Sequence, residues 1–128
     1  MQQELLEKHG TADLRVYAVW FSMYPTDRRE NWPPDVLTDS RVRHYWDEER
    51  TIGRWYMEQI GSMTAARAPE SSAYAGDVFW DAYFVYGPDS RWEESPTELR
   101  RWGRTILRAQ ESLHEAFIAV TSAAVSSR

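Results

Sequence analysis

Two segments of the chain combine valine and aromatic residues densely enough to read as strands. Leu14 to Phe21 (LRVYAVWF) is apolar on both faces after Arg15, and Val78 to Tyr86 (VFWDAYFVY) is apolar except at Asp81. Strands of that kind are covered on both sides, as in layered α/β proteins. Between them the spacing turns helical. Asp39 is placed to cap a short helical turn containing Val42, Tyr45 and Trp46. A second helix to about Ile60 sets Ile52, Trp55, Tyr56 and Ile60 on one face, with Gly61 past its end. Gln2 to His9 reads as a short helix stopped by Gly10. Met23 to Pro34 reads as a charged, proline-held loop and Gly61 to Gly76 as a mobile one.

After the second strand, Gly87-Pro88-Asp89-Ser90 is a turn that leads into Arg91 and Trp92, so a hairpin is expected there. Ser95-Pro96-Thr97-Glu98 has the form of a helix start: a cap, a proline at the first helical position, and a glutamate reaching back. From it Leu99, Trp102, Ile106, Ala109, Leu113, Ala116 and Val120 recur at spacings of three and four. That stripe predicts one long C-terminal helix, packed on a sheet or, beyond about Ser112, against a second helix in a dimer. The tail, 121–128, is rich in serine and alanine and is expected to fray. With no linker and no repeat, residues 1–128 read as a single domain of α/β class, with α+β as the alternative.

Composition narrows the chemistry. The 128 residues contain no cysteine, which excludes disulfides, thiolate metal sites and thiol chemistry by this chain itself. Fifteen basic against 20 acidic side chains, a net charge of -5, argue against a general nucleic-acid binder. No apolar run approaches the roughly 18 residues of a membrane span, and the N-terminus lacks the pattern of a signal peptide. The expectation is a soluble, cytoplasmic protein with no nucleic-acid or membrane partner. No metal or cofactor signature is present, so none is expected. Seven tryptophans within a 14% aromatic content predict an aromatic core; the sharper reading is an aromatic-lined pocket or dimer interface around Trp20, Trp46, Trp55 and Trp80.

Two features are candidates for acid/base chemistry. In His44-Tyr45-Trp46-Asp47-Glu48, a helix would bring His44, Asp47 and Glu48 to one face, where an imidazole beside two carboxylates can act as a general base. The alternative is a solvated polar face with an ion pair to Arg41 or Arg50. Asp81 interrupts an apolar strand, where an unpaired carboxylate is costly to bury. It faces solvent at a bulge or edge, pairs with Arg15, Arg54 or Arg91, or lines a pocket as a catalytic carboxyl of raised pKa. The paired, structural reading is preferred.

The segments LRVYAVWFSMYPTDRRENWP, LTDSRVRHYWD and VFWDAYFVYGPDSRW, with RRWGRTI further on, resemble the later part of a group of bacterial thioredoxin-like proteins. Trp32, Trp46, Trp80 and Trp92 carry much of the likeness. The resemblance implies a thioredoxin-like sheet flanked by helices. It begins inside the helix that follows the family's Cys-x-x-Cys-like motif, so the redox motif and the central strand before it lie upstream of Met1 or were never present. No proline stands just before Val78, where the family places one against its substrate. No catalytic residue is therefore carried over. Loss of the central strand implies exposed strand edges, relieved by direct pairing of the two apolar strands or by a homodimer in which two chains complete each other's sheets; the dimer is expected.

Three functions follow as expectations. The first is a non-redox thioredoxin-like domain that binds a small apolar or aromatic ligand or a protein partner, as a homodimer. The second is a cofactor-independent acid/base enzyme using Asp81 or the His44, Asp47 and Glu48 group in an aromatic pocket. The third is an inactive fragment of a longer thiol or selenol oxidoreductase.

Overall fold

The computed structural model describes residues 5–10, 12–24, 27–31, 37–72 and 76–126. Where the sequence reads as one domain, the chain divides into two compact units, Met1–Ile52 and Gly53–Arg128.

In the first unit, β1 (Val16–Trp20) lies parallel to β2 (Val42–Trp46), in register from Val16 opposite Val42 to Trp20 opposite Trp46. Parallel neighbours need a long crossover, which residues 21–41 supply. β1 is the strand that its valines and aromatics predict. β2 corrects the expected helical turn. Val42, Tyr45 and Trp46 fit a helical spacing, but Val42-Arg43-His44-Tyr45-Trp46 also alternates. Val42, His44 and Trp46 turn inward and Arg43 and Tyr45 outward, and the partner strand selects that period of two. Coverage of the sheet is less complete than expected, because Tyr17 and Tyr45, with ring centroids 6.3 Å apart, are 57% and 50% exposed.

Arg41, just ahead of β2, ties this unit together. Its Nε and Nη2 donate to the Asp39 carboxylate at 2.9 and 2.7 Å, and its other donors reach the carbonyls of Leu6, His9 and Ala12 at 2.8, 2.8 and 2.9 Å. All five guanidinium hydrogens thus find acceptors, a fit that the planar fork allows and an ammonium does not. Asp39 serves this pair rather than a helix cap. Of the expected Gln2–His9 helix, residues 2–4 lie outside the described residues; over the rest one turn forms, with the His9 amide donating to Leu5 at 3.1 Å and Leu5 and Leu6 fully buried. Parts of the expected 23–34 loop also lie outside them. Within it, Asp27 accepts from the Met23 and Tyr24 amides at 2.9 and 2.8 Å.

The second unit is layered. The helix α1 (Thr51–Gln59) forms as its apolar face predicts and passes into a 3-10 turn, Ile60–Ser62. β3 (Ala82–Tyr86) pairs antiparallel with β4 (Leu99–Arg104), and α2 (Gln110–Ser126) closes the unit. The hairpin is thus real, but its return strand stands where the long helix was expected to begin. Glu98 adopts a left-handed φ of 58°, which no helix continues through, and Gly103 is a poor helix residue. Trp102 settles the strand: it is 1% exposed, meets Phe79 edge-on with centroids 5.4 Å apart, and donates Nε1–H to Met63 at 2.6 Å. Only the second half of the predicted stripe is helical, with Leu113, Ala116 and Phe117 buried. Over the described residues α2 runs to Ser126; 127–128 of the expected tail lie outside them.

Alternation in β3 places the layers. Tyr83 points to α2 and donates to Ala109 at 3.0 Å, while Phe84 stacks on Tyr56 of α1 with centroids 3.8 Å apart. Instead of a free loop, the segment after α1 borders β4: the Ala68 amide donates to Trp102 at 2.8 Å, and Ser72 donates to Arg104. Residues 73–75 of that loop lie outside the described residues. β1 and β3, which the resemblance would have share a missing partner, each pair elsewhere, with β2 and β4. Among the described residues no helix is long and apolar enough to cross a membrane. Mixed helices and small sheets make the architecture α/β in the broad sense.

Candidate functional site

The groups expected to do acid/base chemistry hold structure instead. His44 lies in strand β2 and Asp47 and Glu48 beyond its end, so the three do not share a helical face. His44 Nδ1 accepts the Trp20 Nε1–H at 3.0 Å, beneath a stacked pair of rings, which leaves the imidazole proton on Nε2, 3.1 Å from the Leu37 carbonyl. Asp47 caps α1, accepting from the Thr51 and Ile52 amides at 3.0 and 2.8 Å. Glu48 accepts from Trp46 Nε1 at 2.8 Å. Asp81 precedes β3 rather than lying within it, at a left-handed φ of 52°, and accepts from the Ile106 amide at 3.3 Å. Among the described residues it makes no ion pair with Arg15, Arg54 or Arg91; a backbone amide takes the place of the expected arginine. No group of three or more metal-ligating side chains is found among them.

The tryptophans separate. Trp20 and Trp46 belong to the first unit, and Trp55 and Trp80 to the second. The Trp80 carbonyl receives Arg104 Nε at 3.3 Å. Trp55 opens onto a cleft. That cleft, about 160 Å³, is lined by Trp55, Tyr56 and Gln59 of α1, Met63 beyond it, Tyr86 at the end of β3 and Pro96 in the hairpin loop. Trp55 meets Tyr56 edge-on at 4.9 Å and Trp92 at 5.4 Å, and Trp92 is 64% exposed. Leu99 completes the lining through a bulge. Val85 pairs with Arg101 but Tyr86 with Leu99, so Arg100 is one residue too many. Without that shift Arg100 would stand opposite Tyr86; with it, Leu99 lines the cleft and Arg100 is exposed beside Glu98. No residue of the lining is charged.

The Tyr56 and Tyr86 hydroxyls stand among its polar groups, with Gln59, Ser62 and Ser95. Tyr56 Oη and Tyr86 Oη lie 2.5 Å apart, a short O–H···O bond. Burial, outweighing the bond to Tyr86, pushes the Tyr56 phenol above its ordinary value. Burial first, then the bond to Tyr56, pushes Tyr86 up as well. The pair is therefore neutral at physiological pH and donates hydrogen bonds; it is no nucleophile or base. Tyr56 and Tyr86 were not singled out from sequence as site residues. Their signals were present, a tyrosine on the apolar face of α1 and another closing an apolar strand before Gly87-Pro88, but tyrosine in both positions is also ordinary core.

Comparison with protein-family models, curated proteins and solved structures finds no match to this chain. The residues of the cleft must therefore speak for themselves.

Proposed function

We propose that this protein is a non-redox binding module, thioredoxin-like in descent, that takes up a ring-sized apolar or aromatic group in the cleft of Trp55, Tyr56 and Tyr86. The group belongs to a small molecule or to a side chain of a partner protein. The observation that carries the reading is the cleft itself: its walls are aromatic, its lining is uncharged, and its volume of about 160 Å³ suits one ring. A cavity of about 150 Å³ elsewhere takes up benzene. The descent rests on the segment likeness alone. With no cysteine in its 128 residues, the chain brings no thiol step of its own.

Titration with toluene, followed by amide and indole NMR shifts, tests the reading. Shifts should concentrate on Trp55, Tyr56 and Tyr86 with a Kd on the order of 1 mM, the range for so small a ligand. Trp55→Ala should weaken binding about five- to tenfold. Shifts scattered over the surface, or none, would remove the proposal.

A homodimer forms part of the same proposal. Among the described residues β1 and β2 pair with no further strand and expose a Tyr17–Tyr45 face, and so small a parallel sheet gains from further cover. Sedimentation velocity at micromolar concentration should show a dimer; a monomer throughout would refute this part and leave the cleft untouched.

A further inference from the structure

We infer that the cleft selects neutral ring compounds bearing a hydrogen-bond acceptor, such as an aryl ketone or amide, through the one hydroxyl proton that the Tyr56–Tyr86 bond does not consume. The inference rests on the binding reading above and specifies its ligand class.

The argument is a count of protons. Two phenols bring two hydroxyl hydrogens, and the 2.5 Å contact between their oxygens uses one. Whichever ring donates, the other keeps a hydrogen, and both rings line the cleft. Among the described residues neither hydroxyl makes a bond to any third protein group. Accepting one hydrogen bond also polarises a hydroxyl toward donating a second, so the spare hydrogen is the stronger for its neighbour. Ser62, on the same lining, has spent its hydrogen on the Gln59 carbonyl at 2.8 Å, which leaves the Ser95 hydroxyl and the Gln59 amide as the rival donors that the variants below discriminate.

Charge decides which acceptor. The lining holds no cation, so a carboxylate would give up hydration without an ionic partner, whereas a ketone or amide oxygen sheds far less. With both phenols held neutral, the site presents a donor across the physiological range. A bare hydrocarbon ring would fill the aromatic walls and leave the hydroxyl unanswered.

Three probes of similar size separate the possibilities in the full-length protein: toluene, acetophenone and benzoate. Acetophenone should bind about three- to tenfold more tightly than toluene, the return on one added hydrogen bond, and benzoate no more tightly than toluene. The double variant Tyr56→Phe/Tyr86→Phe should bind toluene and acetophenone equally, the preference being lost whatever its affinity for toluene becomes. Either single variant keeps one hydroxyl, with its hydrogen now unspent, and should keep the preference. In the wild type, the carbonyl stretch of bound acetophenone should lie below its frequency in an alkane solvent, a readout that does not depend on any variant folding.

Equal affinity for toluene and acetophenone, or a carbonyl stretch at its alkane frequency, overturns the inference while the cleft reading stands. A preference that survives in the double variant passes the donor role to the Gln59 amide or the Ser95 hydroxyl and overturns it too. Failure of every probe to bind removes the binding reading itself.

Discussion

Arg41 shows how much one side chain can decide. Its guanidinium joins the Asp39 carboxylate to three carbonyls of the segment before β1, and no other residue type presents five donors in one plane. Arg41→Lys keeps the charge and loses the fork. The variant should unfold with ~2–3 kcal/mol less stability, because several acceptors lose their donors at once. Chemical denaturation followed by far-ultraviolet circular dichroism measures this, and a loss below about 0.5 kcal/mol would show that water replaces the lysine's missing bonds. The Tyr56–Tyr86 pair is a second case in which residue chemistry, rather than position in the chain, defines what a site can do. Neutral and bonded to each other, the two phenols keep one hydroxyl hydrogen to offer a ligand.

At the scale of elements, Gly103 is a sensitive point. A Cβ there would stand 2.8 Å from both the Tyr83 hydroxyl and the Ala109 Cβ, at the closest approach of β4 to the start of α2. Gly103→Ala should cost ~1–3 kcal/mol, measured by thermal melting, and Tyr83→Phe in the same chain should recover part of it. A neutral Gly103→Ala would mean that β4 and the α2 layer are not held together as described. The same strand marks the limit of what the sequence disclosed. β1, β3 and α1 were legible because their runs of valine and aromatic residues, or the Ile52, Trp55 and Tyr56 face, fit one period and no other. β2 and β4 were not. Val42 with Tyr45, and Leu99 with Trp102, recur at three residues by coincidence, and only pairing with β1 and β3 reveals the period of two. Of the residues that line the cleft, Trp55 was anticipated among the aromatics. Tyr56 and Tyr86 stood 30 positions apart with nothing local to announce that their hydroxyls meet.

For the molecule as a whole, the ionisable groups set a window of stability. Bonds from Arg41 hold the Asp39 carboxyl down to about 2. An acid held below its unfolded value lends stability that is present above pH ~4 and lost as pH falls toward 2. Burial pushes the Tyr83 phenol up to about 12, and Tyr56 and Tyr86 are raised as well. For these the sign reverses: the contribution is whole below pH ~10 and lost as pH rises through the folded values. The melting temperature should thus form a plateau with an acid and an alkaline shoulder. Asp39→Asn should flatten the first, and Tyr83→Phe should lessen the second; an alkaline shoulder unchanged by the latter would place its origin elsewhere. The Trp55–Trp92 contact has a consequence of another kind. Two indoles tilted by 42° with centroids 5.4 Å apart couple their strong electronic transitions and should give a paired positive and negative band in the far-ultraviolet circular dichroism. Trp92→Phe should abolish that couplet, and a ring entering beside Trp55 should distort it, so the protein would carry its own chiroptical gauge of occupancy, with no label attached.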